Sequence, residues 1–230
     1  MILVGKVAEE KLLNIALDDI LFLPPYDALA KPVSAHADML LFVLESKILC
    51  YDEYYKENKS IFDKIEAQGY EPVRIKEKCS ATYPNDIALN ALKIGDKILC
   101  NERYTSKELL SIAKEYGYKI ISVKQGYTAC STLVLNDNSA ITADPSVQIA
   151  LENEGVSVLK IEEGDITLHG YSYGFIGGAS FVFEGTVYFF GDILTHKDGK
   201  KITEFIKGQN MEVFSIFDGG VCDFGGGKVI

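Results

Sequence analysis

The chain has 230 residues, 47% of them hydrophobic, which suffices for one large core or two small ones. Its formal charge is −10 and its pI about 4.9, with no basic cluster, which argues against nucleic acid as a partner. No stretch approaches the roughly 18 apolar residues of a membrane span, and the opening Met1-Ile2-Leu3-Val4-Gly5-Lys6-Val7-Ala8-Glu9-Glu10 does not read as a signal peptide.

Taken in order, the chain offers a helix over residues 9–16 and a strand over 20–23 before Pro24-Pro25. From there one unit repeats: strand, strand, helix, strand. Unit one has strands at 39–44 and 47–51 around a turn at Glu45-Ser46, a helix near 60–68 and a strand at 71–75. Unit two has an apolar strand at 87–92, a hairpin turn at Ile94-Gly95-Asp96 and a strand at 97–100. Thr105 with Glu108 then forms a capping-box pattern, Leu109, Ile112, Ala113 and Tyr116 share one helical face, and Gly117 ends the helix before a strand at 119–123.

Unit three has strands at 132–135 and 140–142, a helix capped by Asp144 and opened by Pro145, and a strand at 156–161. Unit four has strands at 180–183 and 186–190, a helix near 200–206 and a strand at 211–217. Unit five is truncated to strands at 221–224 and 228–230 around Gly225-Gly226-Gly227; the N-terminal helix and strand complete it. The repetition is visible in the residues, since Lys47-Ile48-Leu49-Cys50 recurs as Lys97-Ile98-Leu99-Cys100. The expectation is an α/β fold in a single domain over 1–230: a five-bladed α/β-propeller about a pseudo-fivefold axis. Pairing of the N- and C-terminal segments closes it and removes exposed sheet edges.

The five cysteines are Cys50, Cys79, Cys100, Cys130 and Cys222. They are odd in number and form no Cys-x-x-Cys pair, so neither a zinc site nor a redox pair is expected. Free thiols suit a reducing, cytoplasmic setting. Cys50 and Cys100 occupy matched strand positions and read as core. His169 and His196 lie in loop-like stretches and read as solvated. Gly225-Gly226-Gly227-Lys228 lacks the spacing and the following helix of a phosphate loop.

The chemistry gathers just ahead of the first strand of each unit. Those places hold His36-Ala37-Asp38, Asn85-Asp86, Cys130, Ile176-Gly177-Gly178-Ala179 and Asp218-Gly219-Gly220. In a ring they meet at one end of the axis. A thiolate is a nucleophile if a neighbouring imidazolium or cation lowers its pKa, and His36 serves as acid and base. Asp38, Asp86 and Asp218 suit a planar cation such as a guanidinium, and the glycines let backbone approach a ligand. Tyr54-Tyr55 and Tyr171 with Tyr173 suit either the mouth of such a site or a half-buried place at the surface.

These elements resemble the pentein superfamily of guanidino-modifying enzymes, which includes arginine deiminase, dimethylargininase, agmatine deiminase and the amidinotransferases. His36-Ala37-Asp38-Met39 is similar to their His-x-Asp element, Asp218-Gly219-Gly220 to their Glu-Gly-Gly element, and Gly126-Tyr127-Thr128-Ala129-Cys130-Ser131 to the segment around their cysteine. The cysteine is central here rather than near the C-terminus, so the motif order looks permuted, and unit four lacks an expected acid. The resemblance implies Cys130, His36 and Asp218 as catalytic residues, with Asp38, Asp86, Asn85, Gly177 and Gly178 binding the substrate. It further implies a small cationic substrate, an amidino-thioether intermediate, and no metal or organic cofactor. The alternative is a non-catalytic binding protein on the same ring, like the ribosome anti-association factor. The oligomeric state stays open.

Overall fold

In a computed structural model, residues 1–13, 15–17 and 19–230 are described. The chain opens with β1 (Ile2–Gly5), a short helix α1 (Glu9–Leu12) and β2 (Ile20–Leu23). Of the helix expected over 9–16, Asn14 lies outside the described residues. A single turn, α2 (Ala37–Leu40), leads into β3 (Leu41–Leu44) and β4 (Lys47–Tyr51), then α3 (Asp52–Glu57), α4 (Lys59–Ala67) and β5 (Glu71–Ile75). The second unit is β6 (Leu92–Ile94), β7 (Lys97–Cys100), α5 (Lys107–Glu115) and β8 (Lys119–Ser122). The third is β9 (Thr132–Asn136), β10 (Ser139–Thr142), α6 (Pro145–Asn153) and β11 (Ser157–Lys160). After β12 (Ile166–Thr167) come β13 (Ser180–Phe183), β14 (Thr186–Phe189), α7 (Gly199–Gly208) and β15 (Glu212–Ser215), and the chain ends with β16 (Val221–Cys222) and β17 (Gly227–Val229).

Five three-stranded sheets share one pattern among the described residues: an antiparallel first pair, then a parallel third strand reached through a helix. The parallel step needs that crossover, because a tight turn can only reverse a strand. Turn chemistry sets the hairpins: Glu45 adopts φ 52° between β3 and β4, and Gly95 φ 53° between β6 and β7. Helix α6 starts as its sequence dictates, with Asp144 Oδ1 accepting the N–H groups of Ser146 at 2.8 Å and Val147 at 2.9 Å. In α5 the cap is Ser106 rather than Thr105; Ser106 Oγ accepts from the Leu109 N–H at 3.5 Å.

The fifth sheet differs from expectation in its parts. Its order is β17-β1-β2, with Ile2 opposite Val229 and beside Ile20. The N-terminus thus supplies two strands and a helix, and the C-terminus supplies one. The pairing of the two termini holds, and the Met1 ammonium donates to the Ile230 carbonyl at 3.0 Å. Val221–Cys222 pairs instead with Ile166–Thr167 in a separate two-stranded ribbon. Residues 87–91, expected as strand, form turns ahead of a shorter β6.

The first strands of the five sheets, β3, β6, β9, β13 and β17, together line a cavity of about 220 Å³. The second strands carry much of the core: Ile48, Leu49, Cys50, Ile98, Leu99 and Cys100 are wholly buried. Among the described residues, no helix is long and apolar enough to cross a membrane.

Candidate active site

A second cavity, of about 260 Å³, lies ahead of those first strands. The segment before each strand contributes: His36 and Met39 before β3, Asp86 before β6, Tyr127 and Cys130 before β9, Phe175 before β13, and Asp223 before β17.

Cys130 is 5% exposed and is held by Asn90, which is fully buried. Asn90 Nδ2 donates to Sγ at 2.8 Å and to the Asp38 carbonyl at 3.0 Å. Asn90 Oδ1 accepts the N–H groups of Ala129 at 3.0 Å and Cys130 at 3.4 Å. One amide therefore ties the His-x-Asp segment, the cysteine segment and its own loop together. Burial pushes the Cys130 thiol well above its usual range, and the charges of Asp38 and Asp223 push it further. The lowering a nucleophile needs is thus reversed, first because the thiol is buried and then because carboxylates rather than cations crowd the sulfur.

His36 and Asp223 form the second half. His36 Nδ1 stands 3.6 Å from Asp223 Oδ1. Backbone N–H groups fix that carboxyl, from Gly225 to Oδ1 at 3.0 Å and from Phe175 to Oδ2 at 2.8 Å. Burial pushes Asp223 up to about 6; His36 opposes the rise and Asp38 adds to it. Gly225 is required here: its φ is +82°, and a Cβ would lie 2.3 Å from His36 Cα.

Two carboxyls carry unused acceptors. Asp38 is buried beside Cys130, and neither of its side-chain oxygens has a partner among the described residues. Burial raises its pKa, against the pull of His36 and Lys228. Asp86 accepts the Tyr127 hydroxyl on Oδ2 at 2.7 Å and leaves Oδ1 unpartnered among the described residues. Buried acceptors without donors are costly, and a multidentate cation would relieve both.

The cavity therefore brings together Cys130, His36 and Asp86, while Asp38 is buried beside Cys130 and His36 but is not among the lining residues. Asp218 is exposed and outside the cavity lining, as are Gly219 and Gly220. The fifth inner strand is β17 rather than 221–224, so the equivalent acid is Asp223. Asn85 is also exposed; the buried amide is Asn90. Gly177 and Gly178 approach protein rather than ligand: a Cβ on Gly177 would lie 2.7 Å from the Cys130 carbonyl, and one on Gly178 2.1 Å from Asp223 Oδ1. His169 is exposed as expected, whereas His196 is 3% exposed, its Nδ1 accepting the Asp198 N–H at 3.0 Å.

Solved structures with this fold share a theme. Dimethylarginine dimethylaminohydrolase from Pseudomonas aeruginosa, as a mutant complexed with citrulline, superposes with a TM-score of 0.52 at 14% identity, over 91% of this chain and 78% of that one. SxtG, an amidinotransferase from Microseira wollei in the saxitoxin biosynthetic pathway, gives 0.53 at 10% identity over 90% and 70%. The N-terminal domain of ArgZ, an arginine dihydrolase from cyanobacteria, gives 0.51 at 11% identity over 85% and 72%. All are pentein superfamily members, and the chain has the pentein fold. No protein of curated function matches the sequence. A family model described as a family of unknown function, DUF6873, matches residues 4–227, and the chain belongs to that family.

Proposed function

We propose that this protein is a cysteine-dependent hydrolase or amidinotransferase of a guanidino compound, built as a single cytoplasmic domain. In this reading the five sheets are blades about a pseudo-fivefold axis. The cavity shared by their first strands and the pairing of the termini support that arrangement. The observation that carries the function is the meeting of a thiol, an imidazole and the Asp86 carboxyl, one of its oxygens unpartnered among the described residues, at one cavity.

The chemistry follows from the groups. Asp38 and Asp86 receive the guanidinium, whose charge offsets the carboxylates around Cys130 and favours its thiolate. The thiol proton passes to His36. Sulfur attacks the guanidinium carbon, a C–N bond breaks, and the proton on His36 leaves with the amine or ammonia. In the hydrolytic branch, water then adds to the amidino-thioether carbon and gives a proton to His36. The C–S bond breaks, releasing the ureido product and the thiolate. Asp223 holds the imidazole in place.

Assaying arginine, methylarginines, agmatine and simple guanidines for ammonia and ureido products tests this. Turnover that disappears in Cys130→Ser supports the reading, and full activity in that variant overturns it. A non-catalytic guanidine-binding protein is the second reading, favoured by the burial that pushes the Cys130 thiol well above its usual range; binding without turnover in the wild type is its signature.

A further inference from the structure

The cavity before Cys130 has two unlike groups of lining residues. One is His36, Asp223 and Cys130 itself, with Asp38 buried beside the sulfur. The other is Val33, Leu168, Tyr171, Tyr173 and Phe175, with Ser172 as its one small polar member. The rings form a connected surface: Tyr127 and Phe175 have centroids 6.3 Å apart, and Tyr173 meets Phe175 edge-on at 6.0 Å. Asp86 also lines the cavity, its Oδ2 held by Tyr127 and its buried Oδ1 unpartnered among the described residues. A ligand whose guanidinium sits at Cys130 and Asp86 extends its tail along the aromatic faces.

That route opposes a carboxylate on the tail. A negative group there loses hydration against apolar rings. Its compensation is a cation, and among the described residues lining this cavity there is no Lys or Arg. The adjoining pocket of about 80 Å³ shares Tyr173 and Phe175 and adds Asp144, Glu162 and Glu163. Three cations of the flanking segments are engaged elsewhere. Lys160 Nζ donates to the Ala143 carbonyl at 2.5 Å, Lys197 Nζ to the Glu163 carbonyl at 2.7 Å, and Arg103 stacks on Tyr104. An apolar tail, by contrast, gains about 25 cal/mol per Å² of surface buried against the rings.

We infer that the substrate is a guanidine with an alkyl or aryl tail and no carboxylate, rather than an α-amino acid. This rests on the guanidino reading above, yet it is tested separately, by affinity. Calorimetric titration of the full chain, as wild type and as Cys130→Ser, compares phenethylguanidine, butylguanidine and arginine. The expected result is affinity at least about tenfold higher for the two carboxylate-free guanidines, a difference of about 1.4 kcal/mol. Tyr171→Arg, which places a cation among the aromatic lining residues, narrows that ratio by strengthening arginine. Equal or tighter binding of arginine in the wild type overturns the inference, as does failure of every guanidine to bind. Selective binding without turnover in the wild type leaves the inference standing and removes the hydrolase.

Discussion

Two cavities meet the same five strands, and their linings have little in common. The one along the strands is lined by Phe42, Leu92, Leu133 and Phe181, with Lys93 and Lys228 at its polar side. The one ahead of them gathers Cys130, His36, Asp86 and Asp223. Strand residues repeat from unit to unit because pleat and packing constrain them alike. The segments that lead into the strands escape that constraint, so each contributes a different group. Thiols show the contrast well. Cys50, at the end of a second strand, is packed on all sides, and burial lifts it to about 12. Cys130 is raised as well, but it faces a cavity and an amide donor. Its distinction is access and company, not acidity.

The sharpest way to break that comparison is to exchange the roles of two cysteines. Cys130→Ala removes the proposed nucleophile, and the proposed guanidine turnover falls by at least about a thousandfold. Cys100→Ala removes a buried sulfur from the repeated strand, costing about 1 kcal/mol of stability and leaving turnover within about threefold below the melting temperature. Ammonia release and thermal unfolding, measured on both variants, decide the matter. Loss of activity in Cys100→Ala at unchanged Tm contradicts the division.

Asn90 comes next. Asn90→Ala leaves the Ala129 N–H, the Asp38 carbonyl and the thiol without their common partner. Each orphaned buried group costs about 1–3 kcal/mol, less than additively, so Tm falls by several degrees. Turnover falls about tenfold to a hundredfold through misplaced sulfur. A stable variant with wild-type kcat shows that the amide does not position Cys130.

Asn90 also marks the limit of what the residues alone disclose. The unit order, the hairpin turns, the Asp144 cap and the places of Cys130, His36 and Asp86 are legible from periodicity and spacing. Asn90 is hidden because 87–92 is apolar enough to pass for a strand, and a polar residue inside it carries no local signal of its long-range partners. Asp223 is hidden for a related reason. The run Val221-Cys222-Asp223-Phe224 alternates like a strand of the fifth sheet, whereas Ile2–Gly5 is the strand that joins it. Moving the sheet boundary moves the equivalent acid from Asp218 to Asp223.

Asp223 offers a smaller effect with a definite sign. Its folded-state pKa is raised from 3.8 to about 6. An acid raised in this way binds its proton more tightly when folded. Its contribution to stability is therefore fully present below about pH 3.8 and is lost as pH climbs through about 6. Asp223→Asn removes this dependence. The Tm of the variant minus that of the wild type grows more positive between about pH 4 and about pH 7. A difference that stays flat across this range contradicts a strained carboxyl in the folded chain.

The smallest expected effect joins the two cavities. Lys228 lines the cavity along the strands, and its charge helps hold down the pKa of Asp38, which lies beside Cys130. Lys228→Met removes that pull from a position that does not touch the proposed substrate. Asp38 then keeps its proton to higher pH, and a neutral carboxyl grips a guanidinium less well. The acid limb of kcat/KM moves upward by a few tenths of a pH unit, while the plateau changes less than about twofold. Lys93→Met, at the same cavity but without that influence on Asp38, leaves the limb in place. If both variants shift it equally, the coupling is general surface charge, and the two cavities are independent after all.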